Sequence, residues 1–195
     1  PEPTLMDSVT QFVKNLNQFG FLLAILLTMG SVSQEKEKGT ASMVLVKPLP
    51  RGMFLFSKFI AISLVFLASI LLAGLGANYY SNLLFTTSSL TAWLWMSFLL
   101  WLIMIVYVAL TLLFSTLFRS QPAAAGVSFV LMLIFSMLGS LPNIGKFLPN
   151  TLTSWSLSLF TNEKTTQWPA LLVSFGIIAA SLFIAWLVLR KQELE

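Results

Sequence analysis

The chain has 195 residues, of which 57% are hydrophobic and only 9% charged, including 17 Phe, with a mean hydropathy of +0.87. Soluble domains carry about 25% charged residues, so water is not this chain's main solvent. The net charge of +4 is dispersed between apolar blocks and never interleaves with aromatics in a polar stretch, which argues against a nucleic-acid partner.

The residue types that are missing narrow the chemistry further. The absence of Cys and His removes disulfides, thiolates, imidazole bases, haem ligation by His and the common zinc sites. The single Asp, Asp7, stands near one end of the chain. A Ser–His pair, paired Asp or a metal-ligand set would mark a membrane-embedded enzyme; without them the chain reads as non-catalytic. Its scattered Ser residues read as helix-packing groups that hydrogen-bond their own backbone.

The apolar runs predict an all-α polytopic membrane protein forming one transmembrane domain. Five stretches approach the roughly 20 residues needed to cross a bilayer core: about 17–33, 58–81, 93–117, 123–140 and 169–188. Residues 8–16 can extend the first helix outward. No stretch alternates as a barrel strand would. Counting Lys58 with its loop, one side of the membrane holds eight Lys and Arg; the other holds Lys14, Lys146 and Lys164. The positive-inside rule puts the N-terminus of this chain outside and its C-terminus in the cytoplasm. An odd number of spans beginning outside leads us to expect an earlier spanning helix before Pro1.

The connection 34–57 is a charged island. With Lys58 it carries five of the eleven basic residues. The first helix is expected to run through Glu35 and Glu37 and stop at Gly39, which suits a left-handed C-cap. Thr40 can cap a short amphipathic helix with Ala41, Val44, Leu45 and Pro48 on one face, and Pro48 and Pro50 end it before Arg51. A plain connecting loop with snorkelling basic residues fits the same letters. In the second span, Ala61, Ser69, Ala73 and Ala77 make a small-residue stripe for close helix packing, within one subunit or between two. No Lys, Arg, Asp or Glu lies in the middle of any span, which disfavours coupling to an ion gradient through a membrane carboxylate. Residues 141–168 combine turn formers with a second apolar cluster at Trp155, Leu157, Leu159 and Phe160. They predict short helices at the outer surface before the last span.

Glu35-Lys36-Glu37-Lys38-Gly39-Thr40, then Lys47-Pro48-Leu49-Pro50-Arg51, then Lys58, resembles the pattern of ABC-2 type permeases, the membrane subunits of ATP-driven exporters. In that family a Glu-x-Glu-x-Gly-Thr stretch precedes a coupling helix, a Pro-x-x-Arg turn and a Lys opening the next span. The resemblance aligns this chain's first span with the family's second, so the family's first helix is the one missing. It implies a bacterial or archaeal cell membrane, two copies of an ABC ATPase subunit on the cytoplasmic face, and a second permease subunit, identical or different. It also implies that ATP and Mg belong to the ATPase partner, and this chain has no GxxxxGK[ST] loop of its own. On this likeness Glu35, Glu37, Gly39, Thr40, Val44, Leu45, Lys47, Pro48 and Arg51 form the coupling segment. Glu35 and Glu37 would make polar contacts to the ATPase or to Arg51, and Val44 and Leu45 would enter a partner groove. Secondary carrier and non-transporting scaffold remain the alternatives.

Overall fold

The computed structural model describes residues 4–37, 51–85, 88–141, 144–161 and 165–191, and among these every regular element is helical. The helices are α1 (Leu5–Glu37), α2 (Arg51–Leu84), α3 (Leu90–Leu117), α4 (Gln121–Gly139), α5 (Thr151–Ser158) and α6 (Trp168–Lys191), with a 3-10 turn at Gly145–Phe147. Five of them, all but α5, are long and apolar enough to cross a membrane. In hydrocarbon no water can satisfy a backbone amide, so apolar runs of this length close their own hydrogen bonds as helices.

The two longest helices overrun the spans read from hydropathy. α1 has 33 residues and α2 has 34, about 50 Å each at 1.5 Å per residue, against a hydrocarbon core of about 30 Å. At its start α1 is fixed by a capping box: Thr4 N donates to Asp7 Oδ2 at 2.9 Å, and Asp7 N to Thr4 Oγ1 at 3.3 Å. α2 begins at Arg51, seven residues before the expected re-entry at Lys58. Proline is tolerated only in the first turn of a helix, so a helix can start directly after Pro50 but not run through it. α4 likewise has Pro122 in its first turn.

α3 is the central helix. Its most apolar window is 83% buried, against 11% for α4, and it packs on α1, α2, α4, α5 and α6. α1 runs parallel to α3: Phe12 meets Trp93 at 5.7 Å between ring centroids, Phe21 meets Tyr107 at 4.6 Å, and Ser33 N reaches Ser115 Oγ at 3.0 Å. α2 runs antiparallel to α1, with Ser8 against Ser81 at one end and Glu35 against Lys58 at the other. α1, α3 and α6 therefore point the same way, as alternate crossings must. One end of the bundle collects Glu37, Arg51, the turn at Arg119 and Lys191; the other collects Leu5, the α2–α3 turn and residues 144–161.

The short helix expected before the last span is α5. Leu152 and Trp155 bury into the main core, Tyr107 OH donates to Asn150 Oδ1 at 3.0 Å, and Asn17 Nδ2 donates to Thr153 Oγ1 at 3.4 Å. The 3-10 turn sits against the end of α4, where a Cβ on Gly145 would come within 2.6 Å of the Gly139 carbonyl oxygen. Only glycine permits that approach. α5 and this turn close the bundle at the end opposite the charged island.

Candidate functional site

The charged island is bracketed by two helix ends: the chain leaves α1 after Glu37 and returns in α2 at Arg51. Because α1 and α2 are antiparallel, these ends lie side by side, and a group of polar side chains joins them just inside the bundle.

Lys58 lies two turns into α2. Its ammonium donates to Glu35 Oε1 and to the carbonyl oxygen of Ser31, both on α1, and stands 4.6 Å from the Phe54 ring centroid on the preceding turn. The side chains of Lys58 and Glu35 retain 23% and 28% exposure, so the pair sits at the edge of the protein, partly shielded from water. One residue along α1, Lys36 donates to the carbonyl oxygen of Thr116 on α3.

A second joint lies one turn deeper. Ser115 Oγ, on α3, accepts from Val32 N and Ser33 N at 3.0 Å each and donates to Met29 O at 2.8 Å. One proton and two lone pairs are thereby all used on the backbone of α1. Ser33 Oγ donates to the same Met29 carbonyl at 2.7 Å. Below these groups an apolar plug of Val32, Leu55, Leu112, Leu113, Leu182 and Leu189 joins α1, α2, α3 and α6. Four helices are thus held at one level, immediately beneath the exit and return of residues 38–50.

Chemically the cluster consists of an ammonium, a carboxylate, hydroxyls and backbone groups engaged with one another. Such a set fixes positions and passes displacement from one helix to the next. Between lipid-facing helices, which gain nothing by hiding apolar surface from apolar solvent, hydrogen bonds of this kind and close packing hold the arrangement together.

Of the coupling residues read from the sequence, Glu35 is in this cluster, Glu37 is the exposed last residue of α1, and Arg51 is the first residue of α2. Gly39, Thr40, Val44, Leu45, Lys47 and Pro48 lie outside the described residues. The packing stripe divides. Ala77 packs against the main core, but Ala61, Ser69 and Ala73 are exposed, so the chain's own packing does not use them. Ser69 and Ala73 instead line an open groove of about 380 Å³ between α1 and α2, walled by Phe12, Phe19 and Phe66 and floored by Met104.

Two members of the cluster are not marked by the sequence pattern. Lys58 reads there as opening a span, not as the partner of Glu35. Ser115 reads as one of the serines that bond their own helix. Ser128 and Ser174 do that, donating to Ala124 O at 2.8 Å and Ala170 O at 2.7 Å; Ser115 bonds its neighbour. A serine two residues from a span's basic end was the available signal.

Residues 9–158 match the family model described as ABC-2 family transporter protein. A curated relative, "Uncharacterized transmembrane protein YxlG" of Bacillus subtilis (strain 168), is 27% identical over 197 residues, covering 99% of this chain and 75% of that protein. The family match takes in the island and every residue of the cluster.

Proposed function

The chain belongs to the ABC-2 transporter family, and from that premise we propose that it is the permease subunit of an ATP-driven exporter, worked by separate ATPase subunits. The observation that carries the reading is the cluster of Glu35, Lys58 and Ser115, which ties both flanks of residues 38–50 to the central helix.

In this reading 38–50 is the coupling segment. Val44 and Leu45 seat in a groove of the ATPase, Gly39 and Thr40 form the elbow, Lys47, Pro48 and Arg51 the stiff return, and Glu37 the polar rim. ATP and Mg act in two ATPase copies on the cytoplasmic side, at the end carrying Glu37, Arg51 and Lys191. A displacement of the segment reaches α1 and α2 together, because Lys58 bridges them. It passes into α3 through Ser115 and Lys36, and into α6 through the plug at Leu182 and Leu189. Rigid helices then move as rods. A second permease subunit, the same or different, completes the path, and the exposed stripe Ala61, Ser69, Ala73 is where one of its helices can approach closely. The chain itself performs no catalysis. The setting is the cell membrane of a bacterium or archaeon, with the C-terminus in the cytoplasm.

The test is affinity capture of the full-length protein from its native membrane, comparing wild type with Val44→Asp/Leu45→Asp. An ATPase that accompanies wild type and is lost from a variant that still inserts supports the reading. No ATPase with either protein overturns it in favour of a carrier or scaffold.

A further inference from the structure

Between α2 and α6 lies an open groove of about 650 Å³ whose lining includes Phe56, Phe175, Ala179, Leu182, Phe183 and Trp186. Every lining side chain is apolar. Phe56, Phe175 and Phe183 are 45%, 47% and 57% exposed. Ala179, the one small residue of the lining, lies among the aromatic side chains and leaves the groove open there.

The groove has a length and a polarity. From Phe175 to Trp186 it follows eleven residues of α6, about 16 Å at 1.5 Å per residue, which is about half the hydrocarbon thickness and so the depth of one leaflet. It ends at Trp186, whose indole beds against the first turn of α2. A Cβ on Gly52 would stand 3.2 Å from Trp186 Cδ1 and Nε1, so glycine keeps this seat open. Directly beyond, the Arg190 guanidinium lies 5.7 Å from the Trp186 ring centroid, and Arg190 and Lys191 are both exposed on the last turn of α6.

We propose that this groove is a binding site for an anionic phospholipid of the leaflet at the basic end, with one acyl chain between α2 and α6 and its phosphate on Arg190 and Lys191. The reading stands on charge complementarity and on the match of groove length to one leaflet. Arg190 and Lys191 at the mouth are complementary to a phosphate. Basic positions at a membrane surface attract anionic lipid at about 1 kcal/mol per charge, about fivefold in affinity. This inference is independent of the exporter reading, since it uses none of the coupling segment.

Native mass spectrometry of the purified full chain tests it, with micelles titrated by phosphatidylglycerol or by phosphatidylcholine of the same acyl chains. Wild type is expected to retain phosphatidylglycerol preferentially. Arg190→Gln/Lys191→Gln should lose that preference by about fivefold per charge, while Lys146→Gln, at the opposite end, keeps it. Ala179→Phe fills the groove and should reduce retention of both lipids. Inorganic phosphate in excess should displace nothing, because the acyl chain carries much of the binding. Equal retention of the two lipids by wild type, an unchanged preference in the Arg190→Gln/Lys191→Gln variant, or unchanged retention in Ala179→Phe would overturn the site. Arg190 and Lys191 are surface groups, so their variant keeps the test valid even if Ala179→Phe fails to fold.

Discussion

Breaking the bridge between α1 and α2 gives the sharpest quantitative test of the cluster. Lys58 gives one charge-assisted hydrogen bond to Glu35 and one hydrogen bond to Ser31 O. Exposed ion pairs contribute about 0–1 kcal/mol and hydrogen bonds to charged groups about 1.5–3. With both side chains about three-quarters shielded, the Glu35–Lys58 coupling should fall between these limits, at about 1.5 kcal/mol. For a chain of this size 1 kcal/mol shifts the melting temperature by roughly 2–4 °C. Glu35→Gln should therefore lower it by about 3–6 °C. Lys58→Met should lower it further, because Ser31 O loses its donor and the carboxylate its ammonium. In Glu35→Gln/Lys58→Met the two losses should fall short of additivity by the same 1.5 kcal/mol or so. A charge swap, Glu35→Lys/Lys58→Glu, should recover only part of the loss, because Ser31 O then faces a carboxylate. The assay is thermal unfolding in detergent across the four proteins of the cycle. Additivity within about 0.4 kcal/mol would show that the pair holds nothing and would remove the bridge from the mechanism.

Ser115→Ala should destabilise the bundle by about 1–3 kcal/mol, since three backbone groups of α1 lose a buried partner, and it should raise amide exchange at Val32 and Ser33 specifically. Gly74→Ala places a Cβ into Ser97 Oγ and should cost about 1–3 kcal/mol by overpacking; adding Ser97→Ala, which removes the obstructing atom, should restore most of it in the same melt. The chain has no native cysteine, so single cysteines at Gln121 and Lys146 can be labelled in intact cells, and the expected result is cytoplasmic at 121 and external at 146. With paired spin labels at Glu37 and Met53, and separately at Glu37 and Leu117, all exposed, Glu35→Gln/Lys58→Met should broaden the first distance distribution and leave the second unchanged. Broadening of both would refute the picture of α1 and α3 as a single rod.

Span number, helical class, the extension of α1 ahead of its apolar run and the short helix before the last span were legible in the letters. Each follows from run length and from the backbone's need to close its own hydrogen bonds in lipid. Which helix is central was not legible, and the reason is physical. The most apolar windows of α2, α3 and α6 have the same mean hydropathy of 2.5, yet they are 22%, 83% and 28% buried. In a membrane the outer surface is as apolar as the core, so composition does not separate them. The same ambiguity hid the role of Ser115, whose hydroxyl could serve its own helix as Ser128 does. Glu35 and Glu37 were distinguished from the rest of the island, but the partner of Glu35 depends on α2 starting at Arg51, which puts Lys58 level with Ser31 and Glu35. A start at Lys58 would have put that residue at the mouth of the loop instead.

The joints differ in kind along the bundle, and the difference assigns each helix a part. α1 and α3 touch along their whole length: Phe12 on Trp93, Gly20 against the end of the Met104 side chain, Phe21 on Tyr107, and Ser115 at the basic end. Contacts distributed in this way make the pair a single rod. α1 and α2 meet at Ser8–Ser81 and at Glu35–Lys58, with the groove floored by Met104 lying between those two levels. α1 and α2 are thus joined directly near their ends and parted in the middle, while α2 keeps its place through α3, where Trp101 Nε1 donates to Ser63 O at 3.0 Å and Gly74 lies against Ser97. Of the two ends, the one held by a partly hydrated charge pair is sensitive to ionic strength and to a competing partner charge, whereas the Ser8–Ser81 contact is not. At the end that flanks residues 38–50, α1 is therefore fused to the central helix, and the direct polar tie between α1 and α2 is the Lys58 bridge, beside the apolar contact of Leu55 with Val32, Leu112 and Leu182.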